Sequence, residues 1–452
     1  MWWVATWRCS ARCELALLHR YTVSVTGRRT PLTAGEQFAA FLRHVAQTSD
    51  SPLGLVIERA DGCTLHAAGG REFLDLLAGI GVAALGHGNR RVLDAIAEQA
   101  AKHLHIMVYG EMVQETQAAL ARRLAGLLPR SLDSVYFTSS GTEAIEGALK
   151  LARKATGRTR LLSFHGGFHG DTFGSLTMGG NALYKTPFEP LLGDCAQIDF
   201  NDVQALQWID ERIAAVLVEP VQAEAGVVLP APGYLAAMRA RCSEVGAMLI
   251  FDEVITGMGR TGRMFAFEHD GTAAVPDILV LAKALGGGMP LGAFISSRQR
   301  MSSLAHDPPL SHVTTFGGHP VSCAAALAAL EVMIEEDLPA RAGRLGTWFG
   351  ERLRARLRPP HVVEVRQAGL LLGIEMASAD IAAEFTRQCR SEGLLLGWTL
   401  HDDRVVRLAP PLVISEAELD DASLRMERAL ARVAAEEGAA DRVTNGSGDK
   451  AR

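Results

Sequence analysis

"MLIFDEVITGMGRTGRM", residues 248–264, decides the fold because it supports two readings that lead to different chemistry. Met248 to Phe251 form an apolar run of buried-strand type, ending on the acids Asp252 and Glu253. Gly257-Met258-Gly259-Arg260-Thr261-Gly262 then spells the G-x-G-x-x-G of dinucleotide sites, with Asp277 about 20 residues on, where a ribose-binding acid is expected. A dinucleotide site needs its first glycine directly after the strand and a helix opening inside the motif, so that the helix N-terminus faces pyrophosphate. Here Gly257 comes five positions after Asp252, the following residues carry no helical stripe, and Asp277 precedes a strand instead of ending one. The weight therefore moves to the acids.

Around this stretch, apolar runs bounded by turn residues alternate with helix-period segments. Strands are predicted at 134–139, 160–164, 214–220, 247–253, 277–282 and 292–297, and helices at 142–155 and 234–245. The pattern predicts an α/β fold with a central, mostly parallel sheet and helices on both faces, whose ligand site lies beyond the C-terminal strand ends. Residues 55–79 read as a hairpin and 321–334 as a buried helix, while strand-like 370–377 and 405–414 fall among helices near the C-terminus. The expected organisation is an extension over 1–33, the N-terminal part of a smaller α+β domain over 34–85, a large domain over 86–334, the C-terminal part of the small domain over 335–437, and a flexible tail over 438–452.

Asp252 thus stands on the expected active-site rim, and the next strand brings a partner there. "DILVLAKALGGGMPLGA" (277–293) places Lys283 directly after an apolar run and before three glycines that let backbone approach a ligand. The chain has only six lysines against 39 arginines, so a lysine between apolar residues is not readily a surface decoration. Such a lysine can deprotonate and form a Schiff base with an aldehyde, and an acid facing a pyridinium nitrogen keeps that ring electron-withdrawing. Together Lys283 and Asp252 suggest pyridoxal 5'-phosphate. "TSSGTEAIEGALKLARK" (138–154) offers a phosphate cradle, with Ser140, Gly141 and Thr142 at a helix start and Ser140-x-x-Glu143 matching a capping box. "SFHGGFHGDTFG" (163–174) offers Phe168 for ring stacking; its His165 and His169 have zinc-helix spacing, but the glycines between them argue against a helix and no metal is expected.

Composition narrows the partners. A net charge of −6 with 48% hydrophobic residues gives no footprint for nucleic acid and favours small substrates. Seven scattered cysteines, an odd number, suggest a reducing compartment and hence the cytoplasm, and no apolar run is long enough to span a membrane. The first 32 residues are arginine-rich with one acid, which fits either a transit-like leader or a poorly ordered extension.

Taken in order, "SGTEAIEGALKLAR", "FHGDT", "VEPVQAEAGV", "FDEVITGMGRTG", "LAKALGGG", "TTFGGHP" and "RLAPPLVI" resemble the class-III pyridoxal-phosphate aminotransferases, the group of ornithine, acetylornithine and 4-aminobutyrate aminotransferases, over about residues 34 to 433. The resemblance implies the fold-type-I architecture and a homodimer with shared active sites. It implies Lys283 as the covalent lysine and proton shuttle, Asp252 at the pyridine nitrogen, Val254 and Phe168 on the two ring faces, and Gly141 and Thr142 at the phosphate with Thr315 of the neighbouring subunit. His169 and Thr314 fall within these motifs as cofactor- and substrate-side residues, and Glu219 as an internal support. Arg407 matches the arginine that grips the α-carboxylate of glutamate or 2-oxoglutarate, and Glu224 the acid that pairs with it when the donor has no carboxylate there. The implied reaction moves a terminal amino group from an amino acid such as ornithine, acetylornithine or 4-aminobutyrate, or from a diamine, to 2-oxoglutarate by a ping-pong cycle, with a same-fold mutase or epimerase, or an NAD(P)-dependent oxidoreductase using the 257–262 glycines, as alternatives. Two positions depart from the pattern. Asp171 stands where acetylornithine and 4-aminobutyrate enzymes have arginine, which suits a second ammonium on the donor, and Ile255 replaces a common glutamine, removing a hydrogen bond to the cofactor's phenolic oxygen.

Overall fold

The computed structural model describes residues 31–446, with side chains to Glu436. The readings for residues 1–30, with their arginine-rich composition, and for 447–452 lie outside the described residues. The described chain divides at Val56/Ile57. The N-terminal unit contains the helix Ala34–His44, whose capping box joins Thr33 to Glu36.

From Ile57 onward, β1 (Ile57–Asp61), β2 (Thr64–Ala67) and β3 (Arg71–Asp75) form an antiparallel meander, and β1 and β2 make the expected hairpin. The central sheet contains β4 (Ser134–Thr138), β5 (Arg160–Phe164), β6 (Cys195–Ile198), β7 (Ile213–Val218), β8 (Met248–Asp252), β9 (Ile278–Leu281) and β10 (Gly292–Ser296). Its order is β4-β10-β9-β8-β7-β5-β6, and β10 alone runs antiparallel to its neighbours. β7, β8 and β9 are buried at every residue because helices cover both faces, which is why they read as continuous apolar runs without alternation. Full burial of Leu249, Ile250 and Phe251 contributes about 1.5–3 kcal/mol each, anchoring the strand that carries Asp252. β6 was absent from the sequence reading: "CAQI" is a half-buried edge strand of four residues with no apolar run to reveal it.

The helices Gly141–Thr156, Tyr234–Val245 and Pro320–Glu335 follow the expected segments, the last packing on Arg90–Lys102 and Glu115–Leu127. A second sheet, in the order β11 (Val362–Ala368), β12 (Leu371–Met376), β15 (Val405–Leu408), β14 (Gly397–Trp398), packs with the helices Leu338–Arg356 and Ala379–Ser391. The two-residue strand β13 (Leu394–Leu395) pairs in parallel with β3 and so joins the early meander to the C-terminal region. The final helix, Glu416–Gly446, continues past residue 438, where a flexible tail was expected. A single glycine costs a helix only about 1 kcal/mol, and the flanking alanines and glutamates are good helix formers.

Candidate active site

Asp252 ends β8, and the register sets it opposite Val280 on β9, three residues before Lys283. Neighbouring strands lie about 4.8 Å apart, so the two side chains emerge on one rim. The Asp252 carboxylate is buried. One oxygen accepts the Val254 backbone N–H at 3.0 Å, and the other accepts His169 Nδ1–H at 2.8 Å. Beside it, Glu219 accepts the backbone N–H groups of Phe168 (2.8 Å) and Ala223 (3.1 Å). Burial holds the Glu219 carboxyl well above the usual carboxylate range; His169 pulls against that rise and Asp252 adds to it.

Lys283 follows β9 with φ of 46°, a left-handed conformation rare outside glycine. Strain of this kind persists where surrounding packing over-determines it, and here it fixes the direction of the ammonium stem. Burial lowers the Lys283 pKa and Arg407 adds to the lowering, while Glu224, Asp252 and Glu219 oppose it. The amine is therefore easier to deprotonate than an exposed lysine, as covalent chemistry at nitrogen requires. Lys283 opens into a cavity of about 410 Å³ that is also lined by Ser140, Gly141, Thr142, Phe168, His169, Glu219, Glu224, Asp252, Val254 and Ile255.

At one end of this cavity the helix Gly141–Thr156 begins. The expected capping box is displaced by one residue: Ser140 Oγ accepts the Glu143 N–H at 3.3 Å, but the Glu143 carboxylate takes the N–H of Ser139, at 2.7 Å, instead of that of Ser140. The first-turn N–H groups of Gly141 and Thr142 have no carbonyl ahead of them in the helix, so they remain available as an anion cradle. A Cβ on Gly141 would lie 3.1 Å from the Val254 side chain, so only bare backbone lets this turn and Val254 close on the same ligand.

The residues present fit pyridoxal phosphate: an amine beside the rim strand, a buried carboxylate within the same cavity, a side chain for each ring face in Phe168 and Val254, and helix-start donors for the phosphate. The model of the class-III aminotransferases matches residues 45–430. The chain belongs to this family.

Solved structures agree. The ornithine aminotransferase of Toxoplasma gondii ME49 is 32% identical with a TM-score of 0.83, over 90% of this chain and 97% of that one. An (S)-enantioselective omega-transaminase from Thermomicrobium roseum is 31% identical with a TM-score of 0.83, over 89% and 99%. An amine transaminase from an uncultivated Pseudomonas species is 30% identical with a TM-score of 0.79, over 86% and 98%. This class-III enzyme thus has the fold-type-I architecture and uses pyridoxal 5'-phosphate.

Arg407, Asp171, Thr314 and Thr315, also expected at the site of the aminotransferase, are outside this cavity's lining. Arg407, on β15 opposite Gly373 and Gly397, is buried and ion-paired with Glu224, whose second oxygen accepts the Leu400 N–H at 3.0 Å. Arg407 Nε has no hydrogen-bond partner among the described residues. Asp171 is exposed just beyond Gly170, which lines the cavity, and does not line it itself. Thr314 and Thr315 also lie outside this lining, Thr315 being exposed. The motif glycines are not at the cavity either: Gly259 and Gly262 have φ of 88° and 99°, and a Cβ on Gly262 would lie 2.9 Å from Gly343 Cα. They allow the chain to turn against the helix Leu338–Arg356.

A hydroxyl network behind the cradle went unread in the sequence. Thr142 Oγ1 bonds Thr172 Oγ1 (2.8 Å) and Ser175 Oγ (2.6 Å), and Thr172 donates to Glu146 at 2.5 Å. "FHGDT" contained the signal in Thr172, next to the Asp171 that drew attention.

Glu253, one residue past Asp252, points the other way and accepts the N–H groups of Ala266 (2.5 Å) and Phe267 (2.9 Å). Burial pushes its carboxyl up to about 8. A raised folded pKa contributes stability that is complete below the unfolded value, about 4.3, and is lost as pH rises through about 8. The melting temperature should therefore fall between pH 5 and pH 9, and Glu253→Gln should flatten that fall; an unchanged slope in the variant contradicts the assignment.

Proposed function

We propose that this aminotransferase moves a terminal amino group from an ω-amino acid or a diamine to 2-oxoglutarate by a ping-pong cycle. The observation carrying this reading is the buried Arg407–Glu224 pair, of which Glu224 lines the cavity with Lys283 and both charges act on the Lys283 amine. A buried arginine needs an anion. With Glu224 on it, the pocket presents no free cation to a donor whose reacting end has no carboxylate. With Glu224 turned away, Arg407 is free for the α-carboxylate of 2-oxoglutarate or glutamate. Similarity to an ornithine aminotransferase and to omega-transaminases supports this donor class. Asp171, an acid at the rim, favours a donor with a second ammonium.

When bound, pyridoxal phosphate supplies an electron sink. Within the chain, Lys283 would anchor the cofactor and carry a proton at its amine nitrogen. Asp252, braced by His169 and Val254, would hold a negative charge toward the cofactor's ring. Thr142 and Gly141 would hold the phosphate, and Phe168 would exclude water from one ring face.

A homodimer is part of the proposal. Thr315 cannot serve its own cavity if it does not line it, and apolar side chains beside Thr314 and Thr315, including Leu310, Val313 and Phe316, are exposed with Met107, Met112 and Val113. The two segments meet where the rings of His105 and Phe316 lie 5.0 Å apart. A second copy would cover this surface and bring Thr315 to the facing site. A cytoplasmic location is supported by the free thiols of Cys63, Cys195, Cys242, Cys323 and Cys389. Among the described residues no helix is long and apolar enough to cross a membrane.

The test is a donor panel against 2-oxoglutarate, with Glu224→Ala beside wild type. Diamines and ω-amino acids should lead in wild type, and the variant should shift the kcat/KM ratio toward glutamate by about tenfold or more, since an ion pair to a buried charge is worth more than about 1.4 kcal/mol. An unchanged ratio removes the gate. Product formed without 2-oxoglutarate would instead indicate a mutase or epimerase.

A further inference from the structure

The turn made by Gly259 and Gly262 borders a second cavity, of about 520 Å³, larger than the one at Lys283. One short stretch of chain separates the two: Glu219, Ala223 and Glu224 line the first, and Pro220 and Val221 the second. The second cavity has an apolar wall of Val221, Leu229, Pro230 and Leu235, and a volume within the range of small-molecule sites, about 300–1,000 Å³.

Its polar groups are biased in one direction. His269 Nε2 donates to the Thr261 carbonyl at 3.1 Å, the Thr347 hydroxyl donates to the Gly343 carbonyl at 3.0 Å, and the Gln367 amide donates to the Gly369 carbonyl at 3.4 Å. These donors are thus engaged within the protein. Asp270 is the one carboxylate of the lining, and it has no hydrogen-bond or ion-pair partner among the described residues. No lysine or arginine lines the cavity. A carboxylate ligand would face Asp270 with no lining cation to offset it, whereas an ammonium on an apolar body matches both the acid and the wall.

We propose that this cavity is a second ligand site that takes an organic primary amine with a short apolar body, its ammonium paired with Asp270. An amine seated there rests on Pro220 and Val221, within the segment whose ends carry Glu219 and Glu224. The site stands apart from the donor assignment, because its chemistry comes from its own lining.

The test uses holoprotein whose lysine–cofactor bond has been fixed by borohydride reduction, titrated with n-hexylamine by calorimetry. One hexylamine should bind per chain, hexanoate should give no binding, and Asp270→Asn should weaken hexylamine at least tenfold. Thr347→Trp, which fills the space, should abolish binding, and unchanged visible absorbance before reduction shows that each variant is folded and loaded. Absence of hexylamine binding, equal binding of hexanoate, or wild-type affinity in Asp270→Asn overturns the proposal.

Discussion

Lys283→Ala should lower turnover by about 10⁴-fold or more, because it removes the proposed covalent anchor and proton carrier, roles that each contribute orders of magnitude. Among the described residues no substitute is at hand, since neither Lys185 nor any other lysine but Lys283 lines the cavity. Lys102 is paired with Glu98, Lys150 with His312 and Lys154 with the His306 carbonyl and Ser311, and none of them lines the cavity. The variant should keep its fold by near-ultraviolet circular dichroism and lose the shift in visible absorbance that wild type shows with an amine donor. A small exogenous amine such as methylamine should restore part of the activity, an effect that a merely structural lysine would not give. A loss of less than tenfold in steady-state turnover would remove Lys283 from the chemistry.

Asp252→Asn should cost about 10²–10³-fold in kcat, the scale on which a preorganised charge at a reacting centre acts. The amide keeps an oxygen for the Val254 N–H, so the shape of the β8 end survives. It cannot keep the charge, and its NH₂ meets the His169 Nδ1–H that now donates to the carboxylate. His169 must change tautomer or turn, and the buried site loses a negative charge. Near-wild-type kcat in the variant, with cofactor bound, would show that Asp252 serves only packing.

Much of this arrangement was legible because buried parallel strands print as apolar runs and active-site residues follow their ends. Asp252 and Lys283 were readable in this way, and Ser140 to Thr142 through the small residues that open a helix. The glycines of 257–262 misled by spelling: a pattern that needs positive φ looks the same whether the turn faces a phosphate or, as at Gly262, the backbone of Gly343. That the Glu143 carboxylate takes the Ser139 N–H and not that of Ser140 could not be read, since which N–H a glutamate reaches depends on how the preceding strand turns. The network from Thr142 through Thr172 to Glu146 joins positions 30 and 26 residues apart, beyond any local periodicity. The edge strand β6, with no buried run of its own, is identified by its pairing with β5.

The central claim is a two-stage transfer at Lys283, and the visible spectrum of purified holoprotein tests it most directly. Addition of a diamine or ω-amino acid in the absence of acceptor should discharge the cofactor's visible band once, with one equivalent of amine consumed per site, and 2-oxoglutarate should then restore the band with release of one equivalent of glutamate. A band that does not respond to any such donor, or that responds but is not restored by 2-oxoglutarate, would contradict it.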